Sequence, residues 1–174
     1  MPVSQKTTDF DAFVRARTPA LLRSAYLLTG DQHLAEDLVQ AALARTHAGW
    51  RRLRDSANAE SYTRRTMYHL QVSRWRRRRV AEVPAARVPD RVVGDHAPQT
   101  AERLALRAAL ARLSARQRAV LVLRFFEDRP AVEAAELLGV TVGTIKSQTA
   151  RALARLRQVA PELADFSGTN GGAR

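Results

Sequence analysis

Between Ser114 and Arg157 the chain spaces its helix-starting and helix-stopping residues in a way that admits few folds. Ser114 and Gln117 stand three residues apart in SARQ, the spacing of a capping box, in which two side chains satisfy each other's free backbone amides. The helix this opens carries Val120, Leu121, Leu123 and Phe125. Pro130 suits a first helical position, Ala131 to Leu138 predicts a short helix, and Gly139 supplies a left-handed stop. Within GVTVGTIKSQTARALARLR, Gly139 to Arg157, Thr141 can cap one more helix. A helix, a three-residue turn and a second helix make a helix-turn-helix.

At about 100° per residue, Ile145, Thr149, Ala152, Leu153 and Leu156 fall on one face of the last helix, and Thr144, Ser147, Ala150, Arg151 and Ala154 on the opposite one. The outward face is small and polar. Such a helix can approach the floor of a major groove, where Thr, Ser and Gln bond base edges and Arg151 or Lys146 can reach a guanine or a phosphate. Gly143 leaves room for backbone amides to meet a phosphate. A plain amphipathic helix with a solvated basic face has the same period. The capped scaffold before it, and the absence of any acid from Leu137 to Pro161, favour DNA contact.

Elsewhere no segment sustains period-two alternation and only 6% of residues are aromatic, so the fold class is all-α. The 45% hydrophobic content suffices for a buried core. A first helix carries Phe10, Phe13, Val14, Leu21, Leu22, Ala25 and Leu28, with Pro19 as a potential kink, and stops at Thr29-Gly30-Asp31. Asp31 caps a second helix that turns Leu34, Leu38, Ala42 and Leu43 inward and ends near Gly49-Trp50. A polar loop precedes a third, roughly Glu60 to Arg79. Residues 81–100 hold three of the seven prolines and no helical period, the composition of a flexible linker. The expected organisation is a tail over 1–7, a helical domain over 8–80, the linker over 81–100, a helix-turn-helix domain over 101–166 and a disordered tail over 167–174.

The formal charge is +12, mostly arginine, so a polyanion is the first partner to consider. The charge is uneven. Leu38 to Ala81 holds eleven arginines against Asp55 and Glu60, whereas Asp9 to Asp37 holds five acids against three arginines, which suggests two surfaces with different partners. In the third helix Tyr62, Tyr68, His69 and Trp75 interleave with Arg64, Arg65 and Arg74 ahead of the run Arg76 to Arg79. Cations mixed with stacking planes suit a single strand with unstacked bases, although Tyr68 equally suits a core. One duplex reader and one strand holder together suggest a protein that helps open DNA.

With no cysteine and four scattered histidines, no disulfide or metal site is expected, and no cofactor. No phosphate-binding glycine loop or nucleophile motif points to an enzyme. No signal core or membrane-length apolar run is present, which places the expected site of action in the cytoplasm.

Three stretches resemble the ECF sigma factors of bacterial RNA polymerase, in their short two-domain form. LTGDQHLAEDLVQAALART is similar to the polymerase-binding helix, SYTRRTMYHLQVSRWRRRR to the strand-opening and minus-ten segment, and LSARQRAVLVLRFFEDRPAVEAAELLGVTVGTIKSQTARALARLR to the minus-thirty-five domain. The resemblance implies that Asp37, Gln40 and Leu43 meet core RNA polymerase, and that Arg65, His69, Trp75, Arg76 and Arg77 lie along minus-ten DNA. It assigns Thr141, Val142, Thr144, Lys146, Ser147, Gln148 and Arg151 to minus-thirty-five promoter DNA and allows an anti-sigma factor as a further partner. His69 stands where many members carry an asparagine, and Gln148 where arginine is common. The rival expectation is an operator-binding regulator that works without polymerase, with a two-fold symmetric site.

Overall fold

The structure, a computed structural model, describes residues 3–53, 56–80 and 101–163, and these are helices and turns with no strand among them. The expected linker, 81–100, and the tail, 167–174, lie outside the described residues. The chain divides into two compact units, Met1–Val88 and Pro89–Arg174.

The first unit comprises α1 (Val3–Thr29), α2 (Gln32–Gly49), a 3-10 turn (Trp50–Arg52) and α3 (Ser56–Val80). α1 runs through Pro19 and begins at Val3, inside the stretch expected as a tail. Asp31 caps α2 as expected, its Oδ1 accepting from the Leu34 amide at 2.9 Å. α3 starts four residues before Glu60, because Ala59, fully buried, already belongs to its packed face. Leu21, Ala25 and Leu28 from α1, Ala35, Leu38, Val39 and Ala42 from α2, and Met67 and Tyr68 from α3 fill the core. Its alanines let the helices approach closely.

Two devices fasten this packing. Buried Thr46 and Thr63 place their Oγ1 atoms 2.8 Å apart across α2 and α3, each also within bonding distance of its own helix, at the Ala42 and Ala59 carbonyls. Three contacts share two hydroxyl protons, so one threonine donates to the other rather than to its own turn. Close by, at the same end of α2, Phe10 lies edge-on to Trp50 at 5.1 Å and 4.7 Å from the His47 ring, with Phe13 5.3 Å from Trp50.

The second unit comprises α4 (Ala101–Ala111), α5 (Ala115–Leu121), a π-helical turn (Val122–Phe126), α6 (Ala131–Leu138) and α7 (Val142–Val159). The capping box forms, with Ser114 Oγ accepting from the Gln117 amide and Gln117 Oε1 from the Ser114 amide, both at 3.2 Å. The π turn departs from the expected regular helix. Its closing bond, Glu127 amide to Val122 carbonyl at 2.9 Å, spans one residue more than an α turn and rotates the neighbouring side chains out of register. Phe125, one of the apolar residues of the expected helix, is 56% exposed. Pro130 sits one place earlier than expected: ψ is 153° and its carbonyl accepts the first α6 bond, from Ala134, so it is the cap residue.

Gly139 takes the left-handed conformation at φ 64°. Its amide bonds the Glu136 carbonyl and the Val140 amide bonds the Ala135 carbonyl, the paired closure of a Schellman turn. Two arginines finish other helix ends. Arg118 donates from Nε to the Leu110 carbonyl at 2.9 Å, and burial pushes its guanidinium below the ordinary arginine value. Arg112 donates to the Val159 carbonyl at 2.7 Å, tying the end of α4 to the end of α7.

Candidate nucleic-acid interface

α7 separates its faces as its period requires. Ile145 and Ala152 are buried to within 1% of full, whereas Ser147, Ala150, Arg151 and Ala154 are exposed. Thr144, Gln148 and Val142 are half-buried at the margin. The Thr141 hydroxyl accepts from the Thr144 amide at 3.1 Å and meets the Thr144 hydroxyl at 2.9 Å, so its side chain is engaged as the helix cap. Ser147 Oγ donates back to the Thr144 carbonyl at 3.0 Å, which fixes its rotamer while leaving its lone pairs outward. Lys146 is exposed but lies about a quarter turn off the centre of the polar face. Arg157 projects on that same side, and the pair forms a basic flank rather than part of the face itself.

Gly143 has no reason inside the fold. A side-chain carbon there would meet only Thr141 Oγ1, at 3.8 Å, an ordinary contact, and glycine weakens a helix relative to alanine. What it leaves open is the outer surface at the start of α7.

α3 is less uniform. Tyr62, Arg65, His69, Ser73 and Arg76 are exposed and recur at three- and four-residue intervals along one stripe, with Arg77 exposed to one side of its end and Arg78 exposed on the opposite side of the helix. Trp75 is half-buried. Tyr68, at 1% exposure, is core and leaves the set of rings that could stack on a base. Arg64 is committed as well: Glu60 holds it at 3.2 Å and holds Arg17 of α1 at the same distance. On α2, Asp37 and Gln40 are exposed one turn apart with Leu43 half-buried in the next turn, while neighbouring Glu36 accepts a 2.7 Å bond from Gln32.

One exposed feature is hidden from sequence reading. Phe125, Phe126 and Val132 are 49–56% exposed around the π turn and the start of α6. No helical period reveals them, because the π turn breaks it. Among the described residues no three His, Asp or Glu side chains converge as a metal site, and no helix is long and apolar enough to cross a membrane.

Two family models match the chain: Sigma-70 region 2 over residues 13–80, which spans most of the first unit, and Sigma-70 region 4 over residues 109–158, which spans α5 to α7. The RNA polymerase sigma-E factor of Streptomyces coelicolor is 43% identical over 150 residues, 86% of this chain and 85% of that protein. The chain belongs to the ECF sigma factors. The ECF RNA polymerase sigma factor SigM of Mycobacterium tuberculosis is 32% identical over 151 residues, 86% of this sigma factor and 76% of SigM. A solved relative gives the same picture. In the co-crystal structure of the sigma factor RpoE with the anti-sigma factor NepR from Bartonella quintana, one chain matches with a TM-score of 0.69 at 26% identity. That match covers 87% of this sigma factor and 96% of the other chain.

Proposed function

We propose that this sigma factor binds core RNA polymerase and directs promoter-specific initiation, with α7 reading minus-thirty-five duplex and α3 holding unpaired minus-ten bases. The single observation that carries the reading is the outward face of α7. It presents Ser147 and Arg151 between small alanines on a scaffold whose caps are satisfied, with no acid along its length. Lys146 and Arg157, both exposed, flank that face, where long cations can reach the phosphates beside a groove. Thr141 and Val142 act by setting the start of the helix, and Gln148 lies at the edge of the reading face.

In the first unit, Arg65, His69, Arg76 and Arg77 share the exposed side of α3, where cations and a ring can track a strand, and Trp75 borders it. Asp37, Gln40 and Leu43, exposed or half-buried on α2, supply the polymerase-binding surface. A tether between two weak readers raises the local concentration of one when the other is bound, so element spacing becomes part of promoter specificity. The role requires no catalytic group of its own and places the protein in the cytoplasm beside polymerase. An anti-sigma protein is a further partner, in keeping with the complex in which RpoE was crystallised with NepR.

The test mixes the purified protein with core polymerase free of other sigma factors and maps transcripts on genomic fragments. Co-elution with discrete starts is expected, and alignment of the starts yields both promoter elements. Specific duplex binding with neither co-elution nor starts would instead identify an operator-binding regulator.

A further inference from the structure

The groups on the exposed stripe of α3 respond differently to pH. Arg65 and Arg76 keep their charge at any pH at which the protein is folded, and a tyrosine such as Tyr62 ionises only near pH 10. His69 stands between the two arginines, and histidine is the side chain whose ordinary charge change falls between about pH 5 and 8. Along the helix axis it lies about 6 Å from Arg65 and about 10 Å from Arg76. A strand held by both arginines passes over its ring.

The chain supplies that ring with no counter-ion. His69 is exposed, and among the described residues no hydrogen bond, ion pair or ring contact engages it. Glu60, the one acid of α3, lies more than two turns back and is held by Arg17 and Arg64. The two helices packed on the other side of α3 contribute one charge of each sign at this level. Counted from the Thr46 to Thr63 contact, α2 passes residue 69 near Gln40, with Asp37 about a turn away. Counted from the ion pair of Arg17 with Glu60, α1 passes it near Tyr26, with Arg23 about a turn away. Neither charge bonds the ring.

We infer that His69 is a proton-linked contact of the bound strand: the ring takes up a proton as strand phosphates settle along the stripe, so that capture of the strand strengthens as pH falls through the histidine range. The sign follows from linkage. Phosphate favours the imidazolium over the neutral ring, so binding the strand favours the proton, and the proton in turn favours the strand. The inference rests on the minus-ten reading of α3 and adds to it a response to pH that a stripe built of arginine alone lacks.

The test uses polymerase holoenzyme and a fluorescent fragment of a mapped promoter left single-stranded across its minus-ten element. Binding is followed against salt at about pH 5.5 and about pH 8 for the wild type, His69→Gln and His69→Arg, with a thermal melt of each protein. The wild-type slope is expected to steepen by about 0.7 log units at the lower pH, the share of one phosphate contact on a single strand. His69→Gln should keep the shallow slope at both pH values and His69→Arg the steep one at both, with melting unchanged. An equal pH response in the wild type and His69→Gln, or none in the wild type, overturns the inference and leaves His69 as a contact indifferent to its proton. A wild-type holoenzyme that forms and fails to bind the fragment at either pH overturns the minus-ten reading itself, and His69 falls with it.

Discussion

α7 and α3 both carry arginine-rich faces, yet they are built on opposite terms. α7 packs against α4, α5 and α6 along a single narrow face, through Ile145, Ala152 and Val159, and leaves the opposite face to solvent. α3 packs against both α1 and α2 and buries Ala59, Thr63, Thr66, Met67, Tyr68 and Gln71. A helix with one packed face shows its function by subtraction, since whatever lies off the apolar stripe is free to bind. A helix packed on two sides does not, because polar and aromatic side chains divide between core and surface.

The difference predicts how far damage spreads. Ile145→Ala should cost the second unit about 3 kcal/mol through the cavity left behind α7. Thermal melting should show the loss, and minus-thirty-five duplex binding should fall for every sequence alike. Arg151→Ala, on the open side of the same helix, should leave melting unchanged. It should cost about 1–3 kcal/mol of discrimination at one minus-thirty-five base pair, read by binding to single-base variants of the site. A uniform loss across sequences would move Arg151 to the phosphates.

On α3 the counterpart is electrostatic. Replacing Arg76 and Arg77 by alanine should flatten the salt dependence of minus-ten strand binding by about 0.7–0.9 log units per lost phosphate contact. An unchanged slope would remove this end of α3 from the DNA. The buried side of α3 answers differently. Thr46→Val or Thr63→Val alone should cost about 1 kcal/mol by leaving one hydroxyl without its cross-helix partner, whereas the double variant should be close to neutral. A double-mutant cycle on thermal stability measures that coupling directly.

The same contrast governs how much of the fold and of the interface is legible in the residues alone. Caps are local: Asp31, Ser114 with Gln117, Gly139 and Thr141 bond partners within a few residues, and each is legible at its position. The outward face of α7 is legible for the same reason, because a single period sorts it. Tyr68 is not separable from Tyr62, since both are flanked by arginines and only packing against α1 and α2 sends one inward. Phe125 escapes for a backbone reason, the extra residue in the π turn. The arginines Arg118 and Arg112 read as positive charge and prove to be caps for the ends of α4 and α7.

The smallest of these effects tests the turn that sets the two helices of the reader. Gly139 has open space where a side chain would go, so Gly139→Ala meets no neighbour, and its whole cost is the backbone at φ 64°. For an alanine in that conformation the expected loss is about 1 kcal/mol, somewhat reduced because alanine also restricts the unfolded chain. Melting should therefore fall slightly while minus-thirty-five affinity, measured well below the melting temperature, stays within about twofold. A larger loss of affinity than of stability would mean that alanine opens the turn and swings α7 away from α6, and that the angle set by Gly139, more than any side chain on the reading face, controls how α7 meets the groove.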